Sequence, residues 1–208
     1  FGTEVNKQIN SEVIKYFNTI REQNINGINN LTPSYNKLII SYDLKVTNYK
    51  EIKDKIEKLN VAEALKTNNK KIEIPVCCDP SFSLDMERLE NKLNLTKEKI
   101  LENFFNKEFF CYMTGFIAGM PFLGDLDENM RVQRLETPRV KVPKGSVGIT
   151  EQFADIYTFE SPGGWNIIGN TPLEVFDSSK EIDPNLINPG DTVKFKQITL
   201  EEYKNYNE

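Results

Sequence analysis

The stretch SPGGWNIIGNTP, Ser161–Pro172, decides how this chain is read. Its apolar run, Ile167-Ile168, is too short for a helix and is closed on both sides by residues that favour turns: Pro162-Gly163-Gly164 before it, Gly169-Asn170 and Pro172 after it. Three more segments share this character. They are GFIAGMPFLG (Gly115–Gly124), TPRVKVPKGSVGI (Thr137–Ile149) and NPGDTVKF (Asn188–Phe195). Nine of the chain's 11 glycines fall from Gly115 onward, so this half needs positive φ angles and close backbone approaches. Within and between these segments run short apolar or alternating stretches: Phe110–Phe116, Arg139–Pro143, Val147–Ile149, Ile156–Phe159, Asn166–Ile168, Glu174–Phe176 and Thr192–Ile198. Strands at such close spacing predict an all-β barrel or sandwich.

Upstream the pattern changes. Ile9, Val13, Phe17 and Ile20 stripe one face of a helix that Asn26-Gly27 ends. Leu38, Ile40 and Tyr42 alternate as a strand, and Tyr49, Ile52, Ile56 and Leu59 stripe a second helix. Lys66–Lys71 reads as a loop, and Ile72, Ile74 and Val76 alternate again. Helix, strand, helix, strand predicts a small α/β layer, a sheet backed by two helices, over residues 1–82. Residues 83–106 then read as a helical connection: one helix from about Ser83 with Leu84, Leu89 and Leu93, and one capped by Thr96 with Ile100, Leu101, Phe104 and Phe105. The expected fold class is α+β, with the β domain completing residues 83–208.

Composition narrows the chemistry. The 208 residues carry 26 basic and 31 acidic side chains, a net charge of −5, with no dense basic run of the kind nucleic-acid binding relies on. There is no His, so a Ser-His-Asp triad, a Cys-His pair and a His-ligated zinc are all excluded within the chain. Cys77, Cys78 and Cys111 lack the spacing of a disulfide framework and read as apolar fillers of a reduced protein. No stretch reaches membrane-span length and no signal-peptide profile is present, so the expected location is cytoplasmic, without a membrane partner. Pro143-Lys144-Gly145-Ser146 does not match a phosphate-binding loop.

Taken in order and spacing, the four glycine- and proline-rich segments resemble the family containing the B-type subunit of ATP-dependent bacterial 5-oxoprolinase. Allophanate hydrolase subunit 1, the carboxyltransferase part of urea carboxylase and a sporulation histidine-kinase inhibitor are similar. The retained residues are Pro138-Arg139, Val142-Pro143, Gly145–Ile149, Pro162–Trp165, Thr171 and Pro189–Asp191. The resemblance implies an N-terminal α/β domain followed by a cyclophilin-like β barrel, working beside a larger C-type subunit of 5-oxoprolinase. A third protein completes the hydrolysis of 5-oxoproline to glutamate. ATP, with Mg, would supply the energy to open a small-molecule amide or lactam, and the site would need cations and aligned N–H groups for phosphoryl charge. On this reading Arg139, Ser146, Asn170 and Thr171 are the catalytic candidates. Lys144, Gly145, Gly163, Gly164 and Trp165 are the cofactor-binding candidates, with Lys141 a further local cation.

Bland alternatives stand beside several of these. Lys141 and Lys144 also read as solvated strand and turn residues, Asp191 as a turn former, and Trp165 as a barrel plug. The chain also departs from the family pattern. Phe104 stands where a His is usual, Thr150–Asp155 replaces a Gly-Gly-Pro-Gln-Thr-Gly stretch, and Asn170 replaces a residue that is often His. Loss of these polar groups leaves open a non-catalytic role as an inhibitor that binds a histidine kinase. Prolyl isomerisation, suggested only by shape, is discounted.

Overall fold

A computed structural model describes residues 1–61 and 69–206. The chain divides into two compact units, Phe1–Asn69 and Lys70–Glu208. In the first, helix α1 (Lys7–Gln23) starts where the Asn6 side chain accepts the Ile9 N–H at 2.9 Å, and it stops at Asn24, which turns left-handed with φ 43°. Strand β1 (Ile28–Pro33) pairs antiparallel with β2 (Leu38–Tyr42), and helix α2 (Tyr49–Glu57) follows. The sequence reading passes over β1 because its segment, INNLTP, is polar and alternates only weakly between half-buried and exposed. Of the loop expected at Lys66–Lys71, residues 66–68 lie outside the described residues, and Lys71 already begins the next strand.

The second unit is built on a closed seven-stranded barrel, ordered β10-β3-β11-β4-β5-β8-β7. Its strands are β3 (Lys71–Cys77), β4 (Glu108–Thr114), β5 (Pro121–Gly124), β7 (Ser146–Thr150), β8 (Phe153–Ile156), β10 (Asn166–Asn170) and β11 (Thr192–Ile198). A separate two-stranded ribbon pairs β6 (Arg139–Val142) with β9 (Ser161–Gly163). The mixed α+β class with a small N-terminal sheet-and-helix unit and a barrel is therefore as expected. The boundary differs. Sequence pattern groups β3 with the N-terminal layer, but the strand lies parallel to β11, with Lys71 opposite Thr192 and Cys77 opposite Ile198, and so belongs to the barrel. Alternation marks a strand without naming its partner, and this partner is far along the chain. The Glu174–Phe176 run makes only a single bridge, Phe176 to Asn185, instead of a strand.

Helices α3 (Met86–Leu93) and α4 (Lys97–Asn106) fill the connection between β3 and β4, and Thr96 caps α4 through the Lys99 N–H at 3.3 Å. From α4, Ile100, Leu101 and Phe104 enter one apolar core with Ile74, Val76, Phe109, Val147, Ile149, Ala154, Ile156, Ile168 and Phe195. Phe104 is fully buried and stacks on Phe195 with centroids 4.8 Å apart, with Phe109 at 5.2 Å and Phe105 at 5.5 Å. Phe104 is thus a core residue, so the departure that the resemblance implies at this position falls in the core and not at a cleft. Strand alternation points Val147, Ile149, Ala154 and Ile156 into this core and turns Gly148 and Asp155 to the barrel's outer side. There Trp165, Ile167 and Phe122 cover them. Helix α5 (Leu200–Lys204) ends the described fold behind a capping box in which Thr199 and Glu202 each bond the other's backbone N–H.

Candidate functional site

The nine predicted site residues separate into two groups on the barrel unit. The first surrounds a cleft of about 390 Å³ lined by Lys144, Gly145, Thr171, Pro172, Leu173, Glu174 and Tyr203. It forms because β7 and β10 are adjacent, with Ser146 opposite Asn170, so the turn entering β7 and the residues leaving β10 meet at one end of the barrel. Gly145 sits at φ +81°, and a Cβ there would lie 2.5 Å from the Thr171 carbonyl oxygen and 2.6 Å from Asn170 Oδ1. Only glycine fits so close an approach in that backbone region. The turn is laced to β10 by two bonds of 2.9 Å, Thr171 N–H to the Gly145 carbonyl and Asn170 Nδ2 to the Lys144 carbonyl.

The same bonds limit what the turn can offer a ligand. The Gly145 N–H donates to the Tyr157 carbonyl at 2.7 Å and the Ser146 N–H to the Pro143 carbonyl at 3.2 Å. Lys144 Nζ pairs with Glu174 Oε1 at 2.8 Å, both side chains about half exposed. Lys141 likewise pairs with Glu160 at 2.9 Å. Thr171 Oγ1 accepts the Leu173 N–H at 3.3 Å and retains its own proton to donate. The cleft therefore presents a hydroxyl, an ammonium held against a carboxylate, and backbone already bonded. That set suits a small polar group. It does not suit an ATP triphosphate, which needs several free donors and uncompensated cations.

Arg139, Gly163, Gly164 and Trp165 form the second group, around the β6–β9 ribbon, where Arg139 stands opposite Gly163. Arg139 donates to Asp85 Oδ1 at 2.6 Å, and Asp85 Oδ2 accepts the Ile167 N–H at 2.7 Å. Arg139 thus ties the start of α3 to the ribbon. Gly163 lies against the Tyr157 ring, where a Cβ would collide with the hydroxyl, and the Gly164 carbonyl accepts the Leu135 N–H at 2.7 Å. Trp165 meets Phe122 edge-on at 5.6 Å and is nearly buried, on the outer side of the barrel wall instead of inside as a plug.

Beneath Trp165 lies Asp155, to which no sequence motif assigns a role. It is wholly buried; Oδ1 accepts the Gly148 N–H at 3.0 Å, and Oδ2 has no partner among the described residues. Burial raises its pKa well above the carboxylate range, against smaller lowering effects of that N–H and of Arg134. Burial also raises the Tyr157 pKa, and the Asp155 charge adds to it. Asp191 is a turn former here: Oδ1 accepts the Lys70 N–H and Oδ2 the Asn188 N–H, both at 2.8 Å. The three cysteines are buried thiols, and burial pushes Cys78 up to about 12.

Tyr203 and Asp85 are site residues that sequence reasoning misses. Asp85 carries no motif. Tyr203 has a local signal, the Thr199-x-x-Glu202 capping box, which announces a helix start in an otherwise polar tail.

The family model for the carboxyltransferase domain, subdomain C and D, matches residues 1–187, which take in the N-terminal unit and most of the barrel strands; the chain belongs to that family. Within it the chain is similar to the B-type subunit of 5-oxoprolinase from Bacillus subtilis, 34% identical over 100% of this chain and 91% of that protein. The corresponding 5-oxoprolinase subunit of Haemophilus influenzae is 43% identical over 60% of this chain and 58% of its own length. Among solved structures, TTHA0988 superposes with a TM-score of 0.85 at 27% identity, covering 95% of this chain. This chain spans 39% of that longer one. Among the described residues, no helix is long and apolar enough to cross a membrane.

Proposed function

We propose that this chain is the B-type subunit of an ATP-dependent lactam hydrolase that opens 5-oxoproline to glutamate, acting with a larger C-type subunit and a third, hydrolytic protein. The observation that supports this most is the full-length similarity to the B-type 5-oxoprolinase subunit of Bacillus subtilis, at 34% identity, combined with a cleft built from the retained turns. In this reading Thr171 donates its hydroxyl to the lactam, and Lys144 exchanges Glu174 for the substrate's negative charge. Asn170, Gly145 and Ser146 form the wall that holds those two in place. The chain contributes no imidazole, and Glu174 is the carboxylate that lines the cleft. The Arg139, Gly163, Gly164 and Trp165 group supports the neighbouring face. The nucleotide, whose binding needs donors the cleft does not offer, would bind in the assembled complex.

The test combines the chain with its C-type subunit and the third protein, and follows ADP and glutamate release with and without 5-oxoproline. Lactam-dependent release of both, requiring all three proteins, is the expected result. A parallel mixture with allophanate separates the urea-derived branch of the family. An inert set accompanied by suppressed autophosphorylation of a histidine kinase would replace the enzymatic reading with a regulatory one.

A further inference from the structure

We infer that Tyr203, on the terminal helix α5, is a positioning residue of the cleft that acts through Asn170; this rests on the reading of that cleft as the functional site. Tyr203 lies beyond residues 1–187, the portion matched to the family, yet its side chain lines the cleft. Its hydroxyl donates to Asn170 Oδ1 at 2.7 Å, while Asn170 Nδ2 donates to the Lys144 carbonyl at 2.9 Å. A carboxamide has one acceptor end and one donor end, so these two bonds fix which way Asn170 faces. Without the hydroxyl, nothing distinguishes that orientation from its flipped alternative except the Lys144 carbonyl.

The consequence passes to the catalytic candidates. Asn170 Oδ1 is also the atom against which Gly145 packs, and Lys144 and Gly145 form the turn whose carbonyls hold Asn170 and Thr171. A line therefore runs from Tyr203 through Asn170 to the turn that carries the Lys144 ammonium. Tyr203 is itself held from two sides. The capping box fixes the first turn of α5, with the Tyr203 N–H bonded to the Thr199 carbonyl at 3.0 Å, and the Tyr203 ring packs on Phe82 with centroids 4.5 Å apart. Partial burial raises the Tyr203 pKa, so the hydroxyl stays a donor across the working range. Asn170, with both ends engaged, is a structural member of the wall instead of a free substrate contact.

The experiment is a double-mutant cycle of Tyr203→Phe and Asn170→Ala with two readouts. The first is hydrogen exchange at the Thr171 amide, which reports the bond to the Gly145 carbonyl. Tyr203→Phe keeps the ring on Phe82 and removes one neutral hydrogen bond, so exchange should rise about fivefold. In the Asn170→Ala background the same change should add nothing, because the hydroxyl has lost its acceptor. The second readout is kcat and KM of the reconstituted set, where Tyr203→Phe should lower kcat/KM by a similar factor, again only when Asn170 is present. Unchanged Thr171 exchange in Tyr203→Phe, or an equal change in both backgrounds, overturns the inference. So does altered exchange with kcat/KM unaffected in a working set. Exchange is read without turnover, so an inert wild-type set counts against the proposed function and leaves the Tyr203 result legible by itself.

Discussion

Gly145→Ala probes the turn on which the cleft depends. An alanine at φ +81° occupies the left-handed region, at about 1–2 kcal/mol for a residue with a Cβ. The new methyl would stand 2.5 Å from the Thr171 carbonyl oxygen, which is backbone and cannot rotate away. Relief requires the turn and β10 to separate by about 1 Å, since ordinary contact begins at 3.4 Å. That movement breaks the two 2.9 Å bonds, Thr171 to Gly145 and Asn170 to Lys144. Each contributes about 1 kcal/mol net, giving a total loss of about 3–4 kcal/mol. Urea unfolding followed by fluorescence measures this directly, because the chain's single Trp, Trp165, lies in the barrel unit. Gly115→Ala is the control: its Cβ would meet only the flexible end of Met113 at 3.0 Å, so a change within about 0.5 kcal/mol is expected. If Gly145→Ala also falls within about 0.5 kcal/mol of wild type, the close approach described here does not shape the turn.

Other consequences are equally measurable. Phe104→Ala should destabilise the barrel unit by about 3–5 kcal/mol in the same urea unfolding. Phe104→His, the residue that the resemblance implies at this position, should also destabilise it and leave turnover no higher, since an imidazole among Phe105, Phe109 and Phe195 lacks partners; a gain in turnover would contradict that placement. Asp155→Asn tests the buried acid. The folded chain holds the Asp155 proton above the pH at which the unfolded chain releases it, so wild-type stability falls as pH rises above the unfolded carboxyl value, by up to about 1.4 kcal/mol per pH unit, until the raised folded value is passed. The Asn variant lacks that slope and should gain on wild type as pH rises above the unfolded carboxyl value. A constant difference would show that Asp155 is ionised in the fold.

The parts of the architecture that are legible in the sequence are those fixed by local chemistry. Thr96 reads as a cap because a hydroxyl before an apolar-periodic run has few other uses, and the turns from Gly115 to Asp191 read as turns because their residues tolerate what turns require. Pairing is not legible. β3 alternates in the same way whether it joins an N-terminal layer or the barrel, and only its parallel partner β11 settles the matter. The site divides along the same line. Lys144, Gly145, Asn170 and Thr171 come to one cleft because their strands are neighbours. Arg139 goes elsewhere because its ribbon pairs it with Gly163 and Asp85 claims its charge. The carboxylates that offset the cations, Glu174, Glu160 and Asp85, are distant in sequence from the residues they meet, and no spacing rule connects them. Tyr203 is hidden for the same reason, its role being defined by an acceptor on strand β10, distant in sequence.

The most direct measurement is ADP and glutamate release by this chain mixed with the proposed C-type subunit and third protein, compared with the same mixture lacking this chain. Release that depends on 5-oxoproline and vanishes when this chain is left out is the expected result. An inert complete set, under conditions where the Bacillus subtilis relative and its own partners turn over, would contradict the assignment.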